Sequence, residues 1–262
     1  MDNDTYRKII EANKELHRIE SKDYEALHPE EFNSFEQRRM QNELAFILKH
    51  LPHNIKVLDI GCGTGNIALK LLAMSNCSIW GVDLSDDMLA ELKKKVSRAD
   101  ETRIKLICQN LDDFIAQCSE RFEFIAISSV LHHLPDYGAT LSKCLALLKS
   151  GGWLYITHEP TKEALERDPF LRKILWQADY FFYALFNSAQ IRHTPQRDYR
   201  MSDYHLYRGF DEEKVIAVCR NAGLRNVRFF KYASAMRLSL SCWIDTCVLK
   251  SKRQFCLVAT KD

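Results

Sequence analysis

Two hydrophobic periods alternate along this chain. Short apolar runs rich in β-branched and aromatic residues fall at 55–60, 79–82, 104–108, 122–128, 153–157, 227–232 and 255–260. Runs of that length and composition predict strands buried on both faces. Between them, apolar residues recur at helical spacing, as in Ile67, Ala68, Leu71 and Leu72, then Met88, Leu89, Leu92 and Val96, then Leu141, Leu145 and Leu148, and finally Val215, Val218, Cys219 and Ala222. Each set lines one face of a helix. Strand and helix in alternation predict an α/β fold: a doubly wound, seven-stranded, mostly parallel sheet with helices on both faces.

Two stretches stand outside that alternation. Residues 5–28 carry Tyr6, Ile9, Ile10, Leu16 and Ile19 among many charges and predict an amphipathic helix. A second helix is predicted from Ser34, where Ser34-x-x-Gln37 forms a capping box ahead of Met40, Leu44, Ile47, Leu48 and Leu51, with Pro52 as its stop. Residues 1–52 thus read as an N-terminal helical cover on a core at 53–262. Within that core, residues 161–208 are too long for a plain connection and read as an insertion. Asp168-Pro169 suits a helix start. Ile174, Ala178, Phe181, Phe182 and Leu185 then form an apolar face, with Trp176, Tyr180 and Tyr183 beside it. That surplus of aromatics predicts a helical lid over an acceptor, against the plainer reading of a packed core face. The second half of the insertion, with Arg192, His193, Arg197, Tyr199, Arg200, Tyr204, His205, Tyr207 and Arg208, suits an acceptor carboxylate or a wet surface.

The first strand breaks at Gly61, Gly63 and Gly65, and a helix begins just beyond them. Glycine accepts positive φ and lacks a Cβ, so a ligand can approach the backbone where a helix start exposes unpaired N–H groups. A dinucleotide fingerprint requires its third glycine one residue later, where this chain has Asn66. Asp59 stands two residues before the first glycine. Asp83 ends the second strand beside that loop, and Ser85 or Asp86 is placed to cap the next helix.

The segment Leu58-Asp59-Ile60-Gly61-Cys62-Gly63-Thr64-Gly65 resembles the first motif of the class I S-adenosylmethionine-dependent methyltransferases. Leu131-His132-His133-Leu134-Pro135-Asp136, after the fourth strand, is similar to a segment of the quinone-biosynthesis methyltransferases and many small-molecule relatives. The resemblance covers about residues 57–152 together with the final helix and strands. It implies a Rossmann-like methyltransferase fold, S-adenosyl-L-methionine as cofactor and a small-molecule acceptor. The cofactor-binding residues it implies are Asp59, Gly61, Cys62, Gly63, Gly65, Asp83, Leu84, Met88, Asn110, Leu111 and Ser128. Asp83 would accept the ribose hydroxyls. Asn110 stands where relatives usually carry an acid that accepts the adenine amino group, with Leu111 next to it and Asp112 as the fallback register. The N-terminal helices of similar enzymes close over cofactor and acceptor, which brings in Tyr6, Tyr24, Arg38 and Arg39.

For catalysis the candidates are His133, His132 and Glu159. One imidazole would face the methyl group and polarise or deprotonate the acceptor, since imidazole titrates near neutrality, while the other packs or caps a turn. Glu159, at the end of the fifth strand, would bind a cation or take a proton, unless it is merely solvated or paired with an arginine. A Pro-Pro pair with a flanking aromatic, as in enzymes that methylate base amino groups or protein glutamine, is absent.

Composition narrows the picture further. The 262 residues suffice for one α/β domain with insertions, and a formal net charge of +2 does not imply nucleic acid. The nine cysteines include no C-x-x-C pair, so no metal site is predicted from them, and they read as small buried residues of a reducing compartment. With neither a secretory signal nor an apolar run long enough to span a bilayer, a cytoplasmic protein is expected. Residues 225–253 hold seven Lys or Arg against the single acid Asp245, which keeps an RNA methyltransferase as one alternative. A non-catalytic cofactor-binding regulator is the other, and the glycine spacing disfavours a nicotinamide oxidoreductase.

Overall fold

A computed structural model describes residues 1–166, 169–186, 200–233 and 236–262. Its centre is one seven-stranded sheet, ordered β3-β2-β1-β4-β5-β7-β6. The strands are β1 Lys56–Ile60, β2 Ser78–Asp83, β3 Ile104–Cys108, β4 Phe122–Ser128, β5 Leu148–Pro160, β6 Leu224–Tyr232 and β7 Gln254–Lys261. β1 to β5 pair in parallel, and β7 runs antiparallel to both of its neighbours. The order reverses between β1 and β4, the switch point beside which open α/β sheets bind ligands.

The helices lie on both faces. In chain order they are α1 Asn3–Glu20, α2 Tyr24–Leu27, α3 Pro29–Phe32, α4 Ser34–Leu48, α5 Ala68–Met74, α6 Asp86–Lys95, α7 Leu111–Gln117, α8 Tyr137–Ala146 and α9 Phe170–Phe186, followed by shorter ones at Tyr204–Arg208, Glu212–Asn221 and Ser239–Trp243. The alternation of β1 divides the core. Val57 packs with Met40, Leu44 and Ile47 of α4 and Leu71 of α5, whereas Leu58 and Ile60 pack with Leu141 and Leu145 of α8 and Val215 of the later helix. Met40, Leu44 and Ile47 are fully buried, and burial of such side chains contributes about 2 kcal/mol each. α4 therefore builds one face of the sheet, and α1 is the helix that reaches the ligand side.

Several expected boundaries move, each for a local reason. The predicted helix over 5–28 ends at Glu20 and gives way to a 3₁₀ turn and α2. α4 is capped by Asn33, whose Oδ1 accepts from the N–H of Phe35 and Glu36 at 3.0 and 3.1 Å, rather than by Ser34. Gln37 does not close a box; its Nε2 donates to the Glu31 carbonyl and to Asn66 Oδ1. α8 ends at Ala146, so Leu148, expected on that helix face, instead begins β5, which passes through Gly151 at φ +73°.

α9 departs most from expectation, because its polarity is inverted. Arg172 and Asp179 are 3% and 1% exposed, while Phe170, Ile174, Phe181, Phe182, Leu185 and Phe186 all face outward. Arg172 Nε donates to Asp245 Oδ2 at 3.1 Å, and the Asp179 carboxylate accepts from the N–H of Arg237 and Leu238 at 2.9 Å each. A buried charge without partners costs far more than an exposed apolar side chain, so the paired charges fix which way this helix faces. The predicted lid face of Ile174, Ala178, Phe181, Phe182 and Leu185 lines neither of the two main cavities. Arg192, His193, Arg197 and Tyr199, like the proposed helix start at Asp168, lie outside the described residues.

Candidate active site

The glycine loop is pinned to the end of β2. The N–H groups of Gly61 and Cys62 donate to the Val82 carbonyl at 2.8 and 3.2 Å. All three glycines have positive φ. A Cβ on Gly61 would stand 2.3 Å from Val130 Cγ2, and one on Gly65 would stand 2.4 Å from Leu92 Cδ1. Gly61 thus lets the loop meet the segment after β4, and Gly65 lets it sit on α6. Asp83 joins these parts: its Oδ2 accepts from Gly63 N–H and its Oδ1 from Ser85 N–H, both at 2.8 Å. Ser85 Oγ in turn caps α6 by accepting from Met88 N–H.

A cavity with about 840 Å³ of empty space, its mouth included, opens at these strand ends. Its floor holds Gly61, Gly63, Asp83, Leu84, Met88, Asn110, Leu111 and Ser128, eight of the predicted cofactor residues. Its roof is α1, through Tyr6, Ile10, Asn13 and His17, with Tyr24 beside them. Asn110 caps α7, its Oδ1 accepting from Asp112 N–H at 2.9 Å. Asp112 accepts from Tyr6 OH at 2.9 Å and from Lys143 at 3.0 Å, which ties the roof to the floor. Burial first, and Asp112 second, push the Tyr6 phenol up to about 12.

The remaining predicted residues lie elsewhere. Gly65 only packs, and Asp59 and Cys62 line a smaller recess behind the glycine loop. Asp59 is 2% exposed and its Oδ2 has no hydrogen-bond partner. Burial pushes its carboxyl up to about 8, against the pull of the Ala68 N–H. Arg38 is exposed, and Arg39 is bound to Glu36 and Glu43 and lies 3.8 Å over the Tyr232 ring, so neither lines a cavity.

A second cavity, with about 1000 Å³ of empty space, shares a wall with the first. His17, Tyr24, Ser129 and His133 line both. Its other walls carry Glu20, His28, Glu30, Glu31, His132, His158 and Asp203. The His133 ring lies 5.5 Å from that of His17, edge to face, and 4.0 Å from that of His132. Burial, then His132 and His17, hold His133 well below the ordinary histidine range. Burial pulls His132 down as well, but the Glu159 carboxylate outweighs it and leaves the ring raised.

Glu159 sits behind this wall and faces neither cavity. It is 0% exposed and accepts from the N–H groups of Val130, Leu131 and His132 at 2.7, 2.7 and 3.2 Å, and lies 2.8 Å from His132 Nδ1. A bulge aims it there: the β5–β7 register shifts between Ile156 and Glu159, with His158 at φ +54°. The expected cation-binding or proton-accepting acid at the rim is thus a buried tether for the segment after β4. Asn13, His17 and Asp203 were not singled out from the sequence, and Ile10 only as part of an apolar stripe; Ile10, Asn13 and His17 follow Tyr6 along one helix face, while nothing local marks Asp203.

A doubly wound sheet with a glycine loop, a strand-end carboxylate and a roofed cavity at its switch point defines a Rossmann-like nucleoside-binding protein. The model of a methyltransferase domain matches residues 32–228, and the chain belongs to that family. A ubiquinone biosynthesis O-methyltransferase from Coxiella burnetii is 31% identical over 101 residues, which are 38% of this chain and 42% of that enzyme. The match to those first relatives therefore spans less than half of their length. A demethylmenaquinone methyltransferase from Bacillus velezensis is 24% identical over 80% of this chain and 88% of its own. Among solved structures, a putative sarcosine dimethylglycine methyltransferase from Galdieria sulphuraria matches at TM-score 0.57 and 17% identity, covering 86% of this chain and 85% of that one. Magnesium protoporphyrin IX methyltransferase from Synechocystis with bound S-adenosylhomocysteine matches at TM-score 0.53 and 17% identity, over 86% and 83%. These likenesses establish the fold.

Proposed function

We propose that this protein is an S-adenosylmethionine-dependent methyltransferase that methylates a small molecule in the second cavity. The observation that carries this reading is the shared wall at His17, Tyr24, Ser129 and His133, which joins a roofed cavity over the glycine loop to a separate, more polar one. The cofactor supplies an activated sulfonium methyl, so the protein's work is to align, enclose and handle a proton. Asp83 retains lone pairs for two ribose hydroxyls beyond its two backbone donors. The second lone pair of Asn110 Oδ1 suits an exocyclic amino group. Asp59, buried and with Oδ2 free of a partner, suits the ammonium of the cofactor's amino-acid end. At the shared wall, His133 and His17 face an acceptor hydroxyl or amine that sheds a proton on methylation. Glu159 acts as a positioning residue, holding His132 and the backbone that carries His133.

The relatives named for ubiquinone and menaquinone biosynthesis favour an acceptor with an aromatic or quinol-like ring. Of the seven cations behind the RNA alternative, Lys231, Arg237 and Arg253 are engaged within the chain by Glu163 and Glu212, by Asp179 and by backbone carbonyls respectively, which leaves a smaller free basic patch than the sequence suggests. No helix among the described residues is long and apolar enough to cross a membrane, and the nine cysteines are free, which fits a reducing, cytoplasmic setting. The test is calorimetry. S-adenosylhomocysteine is expected to bind and NAD is not, and Asp83→Ala is expected to weaken the former by about 10- to 100-fold. Binding of NAD in its place would overturn the reading.

A further inference from the structure

His132, His133 and Asp203 each offer a ligand atom, all within 4.8 Å of one another, on the wall of the second cavity. We propose that this triad binds one divalent transition-metal ion, which holds the acceptor's nucleophilic atom at the shared wall. The purpose given to the ion rests on the methyltransferase reading; the site itself rests on the geometry alone.

The support behind the ligands is what separates this cluster from a chance meeting of polar groups. Metal-binding histidines generally give their second ring N–H to a carboxylate or a backbone carbonyl, which fixes the tautomer and aims the other nitrogen. Both histidines here are held in that way. His132 Nδ1 lies 2.8 Å from Glu159 Oε2, and His133 Nδ1 lies 2.9 Å from the Ser202 carbonyl. Each ring therefore keeps Nε2 as its lone-pair donor, and Asp203 Oδ1, which stands on the Nδ1 side of His133, has to turn from that N–H to reach the ion. Glu159 is fully buried and fixed by three peptide N–H groups, so His132 has a rigid support. Asp203 precedes the helix Tyr204–Arg208 but does not cap it with its side chain, and it stands 3.3 Å from His133 Nδ1.

Charge and geometry agree with a cation. Glu20, Glu30 and Glu31 line the same cavity, where His28 pairs with the first two and leaves Glu31 as the added negative charge. Two imidazoles and one carboxylate suit zinc, manganese, iron(II) or cobalt, and leave positions open for an exogenous ligand. Ligands about 2.1 Å from a common ion stand roughly 3 to 3.5 Å apart, so binding draws the triad together by about 1 Å. An ion here would lower the pKa of a bound acceptor hydroxyl and so ease its deprotonation.

The test uses the full chain, stripped with a chelator and titrated with Co²⁺ and Zn²⁺ by calorimetry, with visible absorption to follow Co²⁺. One equivalent is expected to bind. Asp203→Asn and His132→Gln are each expected to weaken binding by tenfold or more, and Glu159→Gln by 10- to 100-fold. Asp203→Asn is expected to keep the wild-type melting temperature, so it carries the test if a histidine variant fails to fold. Sub-stoichiometric binding to wild type, or equal affinity in Asp203→Asn and wild type, overturns the proposal. S-adenosylhomocysteine titrated into the same samples separates the two readings. Cofactor binding without metal binding sinks the metal site alone; metal binding without cofactor binding sinks the methyltransferase reading and leaves the site standing.

Discussion

Single side chains carry more of this site through hydrogen bonds behind the cavity wall than through contact with it. Glu159 is the clearest case, with three backbone donors and one imidazole on a carboxylate shut off from solvent. Glu159→Ala would leave three buried N–H groups unsatisfied, and is expected to lower unfolding free energy by about 3 kcal/mol in urea titration. His28 gives a pH signature. Burial pulls its imidazolium down, but Glu20 at 3.2 Å and Glu30 at 3.5 Å outweigh this and raise it to about 10. A folded value above the unfolded 6.5 means that the stabilisation is complete below about pH 6.5 and is lost as pH rises toward 10. The stability difference between wild type and His28→Asn is therefore expected to shrink by about 2 kcal/mol between pH 6 and pH 10, with allowance for its partial exposure. A pH-independent difference would remove this role.

At the level of elements, the glycine loop and α9 make opposite predictions. Gly65→Ala places a methyl group against Leu92 at φ +98° and is expected to cost about 2 kcal/mol or more, read as a fall in melting temperature. On α9, Asp179→Ala is expected to destabilise by a similar amount because it orphans the Arg237 and Leu238 N–H groups, whereas Phe182→Ser is expected to be within about 0.5 kcal/mol of wild type. The strands and the helices between them were legible because both periods are strong and local. That Gly61, Gly63, Asp83 and Asn110 gather at strand ends around one cavity was legible, because each follows a strand whose period is clear. α9 was misread for a physical reason. Its apolar periodicity is genuine, but Asp245 and the Arg237–Leu238 backbone, distant in sequence, draw its two charges inward. The inward aim of Glu159 was equally hidden, since it depends on a bulge set by pairing with β7.

Over the whole molecule, the N-terminal helix spans the two cavities, with Tyr6, Ile10 and Asn13 over the first and His17 in the wall of both. Ile9 and Leu16 anchor it, while α4 and the sheet hold the core without it. Removal of residues 1–20 is expected to leave a cooperative unfolding transition and to weaken S-adenosylhomocysteine binding by tenfold or more in calorimetry. Unchanged affinity would show the roof to be ornamental.

That eighteen-residue roof is held to the floor by Tyr6 OH on Asp112 and by Asn13 Nδ2 on the His133 carbonyl, so release of the spent nucleoside is expected to require both bonds to part. Turnover would then follow the viscosity of the medium, and Tyr6→Phe, by loosening the latch, would quicken departure while blunting grip.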